Sequence, residues 1–272
     1  MFGINNYEKC IFKHNFLRNI IFKVHYKENI CCTSKRSDFI ETFKEDFPIV
    51  SDGIAQAISF TLGGQNGKEQ SVSVKDDSNA HQVIMRSINA QKELTLNNEL
   101  LQYKETGQTY SSSNDFNSKI NQGIAFLKEN GTTECKAFSL RKINIVDFVS
   151  NNMENEEVST YDPLRELIAP YLLCTYEDFR SSNKFIKQNI YTIQFEENDY
   201  FLTIKYGYII SEKNASSSNI KGQIVIDLSL EKKSSCSIDI LLSEELQKCH
   251  QELYNAFRWC ISPKMFNMIN EE

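Results

Sequence analysis

The chain has 272 residues, 40% of them hydrophobic, and a formal net charge of −6. That length and apolar content suffice for one large core or two modest ones, which excludes a disordered chain. No apolar run approaches the ~20 residues that cross a bilayer, and Lys9, Lys13 and Arg18 interrupt the apolar region nearest the N-terminus; neither a membrane helix nor a secretory signal is expected, and a cytoplasmic location is.

Residues 1–36 hold seven lysines and arginines against Glu8 and Glu28, a balance of +5 that leaves −11 for the remainder. Tyr7, Phe12, Phe16, Phe22 and Tyr26 interleave with these charges. A basic, aromatic start suits phosphate or an acidic partner, but it equally describes an amphipathic strand with solvated lysines. Alternation over residues 20–26 predicts a half-buried strand with Phe22, Val24 and Tyr26 on one face. Ser37 is the expected cap of a helix that buries Phe39, Phe43 and Phe47 before Pro48 ends it. Short strands follow at 54–62, 70–74, 83–88, 93–96 and 100–103, separated by the turn residues Gly63-Gly64, Asp76-Asp77 and Asn97-Asn98. A helix over 114–128 is expected to bury Phe116, Ile120, Ile124 and Phe126 or Leu127, stopping at Asn130-Gly131.

The order then recurs. Residues 137–148 read as a strand, and Asp162-Pro163 opens a helix with Leu164, Leu167, Ile168 and Tyr171 inward, limited by Pro170. Strands are expected at 186–195, 200–210 and 222–230, with Glu196 to Asp199 as a hairpin loop. A C-terminal helix begins at Ser243, with Glu244 and Glu245 at its positive end and Leu246, Leu253, Phe257 and Ile261 as its apolar stripe. Polar stretches at 151–160 and 215–219 are expected to be mobile. The implied fold is α+β in two similar halves, residues 1–134 and 135–272. Each would be an antiparallel sheet packed on a long helix in the order strand, helix, strands, helix, as in TBP-like or helix-grip-like duplications.

The C-terminal string LQKCHQELYNAFRWCISPKMFNMI, with Leu246, His250 and Phe257, resembles the closing signature of a sporadically distributed, uncharacterised bacterial family defined over its full length. FKEDFP, RSINAQKELTLNNELLQY followed by Tyr110, and FSLRKINIVDF resemble its upstream motifs. In the last, Leu140, Arg141, Ile143 and Asn144 match, whereas Phe138, Ser139 and Lys142 depart from the family pattern. The resemblance implies no reaction. Its patchy distribution implies an accessory or defence-associated setting.

Motifs that carry chemistry are missing. Gly63 to Gln70, GGQNGKEQ, lacks the Ser or Thr of a phosphate loop and reads as a turn. Neither Gly-x-Ser-x-Gly nor His-Glu-x-x-His occurs. The eight cysteines are scattered without a C-x-x-C pair, which reads as free thiols and not as a disulfide or metal framework. The candidate binding residues are therefore Arg141, Asn144, His250 and Trp259, with no catalytic residue, metal or cofactor assigned. His250 flanks an apolar helix stripe, as a base or as a buried anchor. Arg141 and Asn144, three apart on a strand, point to opposite faces, and a core arginine needs Asp147 or Asp227 as its partner. Trp259 marks a partner surface or packs on the sheet. The reading that follows is a non-enzymatic protein-binding or scaffold component of an anti-phage defence or toxin-antitoxin-like cassette, the setting resting on the resemblance. The alternatives are a nucleic-acid or nucleotide binder that uses a saddle of paired sheets and the basic N-terminal segment, and an enzyme using His250 or Arg141 in a cleft between halves.

Overall fold

The computed structural model describes residues 1–10, 12–27, 30, 32–54, 57–60, 72–75, 81–151, 166–173, 188–213 and 219–270. The Gly63 turn, the helix start at Asp162-Pro163 and most of the polar stretches at 151–160 and 215–219 lie outside these residues. The described strands are β1 (Leu17–Tyr26), β2 (Ile49–Ile54), β3 (Ala57–Phe60), β4 (Val72–Lys75), β5 (His81–Arg86), β6 (Lys92–Leu96), β7 (Leu100–Thr106), β8 (Glu134–Asn151), β9 (Gln188–Glu197), β10 (Tyr200–Lys213), β11 (Asn219–Lys232) and β12 (Cys236–Ser237). The helices are α1 (Cys32–Phe43), α2 (Ser113–Glu129), α3 (Leu246–Cys260) and α4 (Pro263–Met268).

Ten of the strands form one antiparallel sheet in the order β2-β5-β6-β7-β1-β8-β11-β10-β9, with β12 also paired to β8. This corrects the expectation of two halves that each own a sheet and a long helix. β1 is bonded to β7 on one side and to β8 on the other, from Leu17↔Asn144 to Tyr26↔Cys135. Two separate sheets would leave β1 and β8 as edges with unpaired N–H and C=O groups; pairing them satisfies both rows. The helices are also unequally shared, with α1 and α2 on β5 and β7, and α3 on β11 and β8.

Alternation explains which face the helices cover. Ile20, Phe22, Val24 and Tyr26 of β1 are fully buried, as are Leu140 of β8 and Leu228 and Leu230 of β11. α2 adds Phe116, Ile120, Ile124, Phe126 and Leu127, as its periodicity predicts, and starts at Ser112, whose side chain accepts from Asp115 N. Gly207, at φ +152, lies where an added Cβ would stand 1.9 Å from the Asn189 carbonyl oxygen, so only glycine lets β10 approach β9 so closely. The hairpin between them turns through Asn198 and Asp199, both at positive φ, as polar loop residues tolerate.

Two elements begin elsewhere than their local sequence predicts, and one side chain faces the other way. α1 starts at Cys32, five residues before Ser37, because the Asn98 side chain accepts from Cys32 N at 2.8 Å. The C-terminal helical run starts at Ile238–Ile240, capped by Ser237, and passes through a π-helical turn, Leu241–Glu245, before α3. Tyr171, expected inward, follows Pro170 in a 3₁₀ turn and is 52% exposed.

Residues ahead of β1 form an arm along the last helices. Tyr7 N donates to Asn255 Oδ1 at 3.0 Å, Tyr254 Oη donates to the Glu8 carbonyl at 3.0 Å, and the N-terminal ammonium pairs with Glu252 at 3.2 Å. Phe12 stacks on Tyr254 with centroids 5.8 Å apart, and Lys13 N and His14 N donate to the Ile269 carbonyl.

Candidate functional site

Along β8 the side chains divide by parity. Phe138, Leu140, Asn144 and Val146 are buried on the helix side. Arg141, Ile143 and Ile145 are half-buried and lie on the opposite face, where no described helix packs. Register extends this second face across the sheet. Arg141 stands beside Ile21 of β1 and Ser229 of β11, Ile143 beside Asn19 and Asp227, and Ile145 beside Val225. Beyond Ile21 the row continues through Lys104, Glu93 and Arg86. Ile21, Ile143, Ile145 and Val225 thus make a central aliphatic patch among charges of both signs.

Arg141 is the organising side chain of this face. Its Nε donates to Asp227 Oδ1 at 2.8 Å and its terminal nitrogen to Oδ2 at 2.6 Å, a two-pronged pair across β8 and β11. These hydrogen bonds hold the guanidinium above its ordinary pKa. The arginine side chain is 43% exposed and the aspartate 11%, so the pair fixes a planar donor group at the surface from a mostly buried carboxylate. Asp147, the other partner weighed from sequence, instead accepts from Gln223 at 2.9 Å. On the same face a depression of about 330 Å³ opens between Glu196, Phe201, Glu231 and Lys233, whose ammonium sits 4.0 Å from the Phe201 ring centroid.

The other three candidates are not brought to this patch. Asn144 faces the helices and donates to the Ile226 carbonyl at 3.2 Å, tying β8 to β11 from inside. His250 is 3% exposed on α3, its Nε2 2.9 Å from Asn117 Oδ1 of α2. Burial, then the nearby Lys142 and Lys9, hold its pKa well below the ordinary histidine value. Trp259 packs on Tyr171 and Phe195, at 5.3 and 6.0 Å between centroids.

From sequence, Lys142 is named only as a departure from the family motif and not as a site residue. It has the inward parity of Leu140 and Asn144, and that parity was the available signal. Glu245 was read as a helix-end charge; it joins Lys232 at 2.7 Å and accepts from Tyr200 Oη. Cys135 and Cys236, opposed on β8 and β12, bring their sulfurs to 3.1 Å. Among the described residues no group of three or more His, Cys, Asp or Glu side chains is placed to hold a metal ion, and no helix is long and apolar enough to cross a membrane. A scan against protein-family models found no match, and a search of curated proteins found none.

Proposed function

We propose that the chain is a non-enzymatic protein-binding component that receives a folded protein partner on the helix-free face of its sheet. The observation that carries this reading is the aliphatic patch of Ile21, Ile143, Ile145 and Val225, framed by the Arg141–Asp227 pair and by alternating Arg86, Glu93 and Lys104. Interfaces of this kind combine an apolar centre, arginine anchors and a charged rim of both signs. A polyanion would require one sign: nucleic-acid binding rests on clustered Lys and Arg, and here Glu93, Asp227 and Glu231 stand among Lys23, Lys104 and Arg141. The basic N-terminal segment supports the nucleic-acid alternative less than its composition promises. Phe22 and Tyr26 are in the core, Phe12 is stacked on Tyr254, and Tyr7 lies under the Arg258 guanidinium, so these rings are engaged within the protein.

The accessory-gene setting implied by the motif resemblance directs the test to products of neighbouring genes. Each is co-expressed with the chain carrying a photo-crosslinking residue at Ile143 or, as control, at the exposed Glu129 of α2. Crosslinking from position 143 alone, and loss of at least about tenfold in affinity for Ile143→Asp, as for an interface centre, are expected. Crosslinking from 129 alone, or unchanged affinity in Ile143→Asp, would refute the assignment. Retention of an oligonucleotide that weakens steeply with salt would replace it with the nucleic-acid reading.

A further inference from the structure

The helix side of β8 holds an arrangement unlike the rest of the core. Lys142 stands between Ile20 of β1 and Leu228 of β11, both fully buried, on the face of the sheet that the helices cover. Its ammonium meets the ring of Tyr110, 5.9 Å from the centroid, and neither a carboxylate nor a hydrogen-bond acceptor among the described residues. Tyr110 packs edge-on against Phe116, which packs edge-on against His250, so one aromatic row joins the lysine to the histidine. His250 spends Nε2 on Asn117, and its buried Nδ1 has no hydrogen-bond partner among the described residues. Lys9 of the N-terminal arm lies within electrostatic reach of both. The nearest buried acid on this side, Glu105, is already engaged by Tyr103 Oη at 2.8 Å and Lys92 at 3.4 Å.

Three cationic or potentially cationic groups thus lie near one another, and among the described residues none of them is paired with an acid. Buried charges are normally paired, and a buried ring nitrogen normally finds a partner. Lys142 keeps partial access to solvent, which gives a small ligand a way in. We propose that Lys142 and His250, with Lys9 in electrostatic reach, bind a small oxyanion, the oxygens of a phosphate or carboxylate taking the hydrogen bonds that Lys142 Nζ and His250 Nδ1 do not make among the described residues. The Asn117 carbonyl oxygen is placed to accept from Nε2 of the doubly protonated ring, so the site accommodates the imidazolium that an anion would favour. Burial and then Lys9 push the lysine pKa down to about 8, the direction expected of a desolvated amine near a second cation. The site lies on the opposite side of the sheet from the partner patch and does not depend on it.

The test follows the imidazole nitrogen resonances of the intact chain by NMR at constant ionic strength, with His250→Gln to assign the signal. Inorganic phosphate and acetate are added separately. Saturable movement of the His250 signal toward the imidazolium position is expected with at least one of them, and which one identifies the ligand class. Lys142→Met should weaken binding about tenfold or more, the loss of one charge-assisted hydrogen bond. Lys9→Met, on the exposed arm where folding is not at stake, should weaken it a few-fold through lost long-range attraction. A signal that moves with neither anion, or moves equally in wild type and Lys142→Met, would overturn the proposal.

Discussion

The Arg141–Asp227 pair is asymmetric, since the arginine is 43% exposed and the aspartate 11%. Removing the aspartate returns a guanidinium to water; removing the arginine strands a largely buried carboxylate, which is the costlier error. Asp227→Asn is therefore expected to cost about 1 kcal/mol, and Arg141→Met about 2 kcal/mol, half-exposure keeping both below the penalty of a fully buried pair. Urea denaturation of the two variants checks the order; equal costs would mean that the aspartate is hydrated after all. His250 makes a pH prediction of the opposite character to a salt bridge. Its folded pKa lies well below the unfolded value near 6.5, so the unfolded chain takes up the proton first. Stability is complete above pH 6.5 and falls as the pH drops below it, by at most about 1.4 kcal/mol per unit for this one group. In a buffer free of phosphate and carboxylates, His250→Gln should flatten the decline between pH 6.5 and 5; an unchanged slope would place the proton uptake elsewhere.

At the scale of the element, what was legible in the sequence is what local chemistry determines. The apolar spacing of α2 names its buried residues, and period-two alternation sends Arg141 and Asn144 to opposite faces of β8. The misplaced starts have long-range or phase-breaking causes. Asn98, 66 residues away in the chain, supplies the acceptor at the start of α1. The π-helical turn Leu241–Glu245 adds a residue to the turn, so Ile238 and Leu241 fall out of phase with Leu246 and Leu253, and the run ahead of α3 does not read as helix. The candidate site was legible only in part: parity separated Arg141 from Asn144 and the need for a counter-charge named Asp147 or Asp227 without choosing between them, and nothing local says that Ile21 and Val225 will flank Ile143 and Ile145. The same turn carries Glu245. Burial opposes the charge on this carboxylate, but Lys232, Tyr200 and Lys248 outweigh it and hold the pKa below the ordinary value. That contribution is present above the unfolded carboxylate pKa and is lost as the pH falls through the lower folded one. Lys232→Met should therefore weaken the acid dependence of unfolding, measured below the range in which His250 acts. It should leave the slope between pH 5 and 6.5 unchanged, and a change in that window would show that the two groups are coupled.

At the scale of the molecule, the pairing of β1 with β8 decides how the chain comes apart. Strand register between segments more than 100 residues apart has no local signature, which is why the repeated order of elements read as two separate sheets. In the structure the ladder runs unbroken from β2 to β9, so the part covered by α1 and the part covered by α3 share their central hydrogen bonds. The single tryptophan, Trp259, packs against Phe195 of β9 and Tyr171 and reports on one end of this sheet. Phe39 of α1 is fully buried at the other end, against Phe43 and Phe126. Phe39→Leu removes part of that contact and should cost about 1 to 2 kcal/mol. With one continuous sheet, the loss moves the midpoint of Trp259 fluorescence in urea by the same amount as the midpoint of far-ultraviolet circular dichroism, the coincidence that marks a cooperative unit. A fluorescence midpoint that stays fixed while the dichroism midpoint moves would mean that the ladder yields at β1 and β8, and that the two ends of the sheet unfold independently.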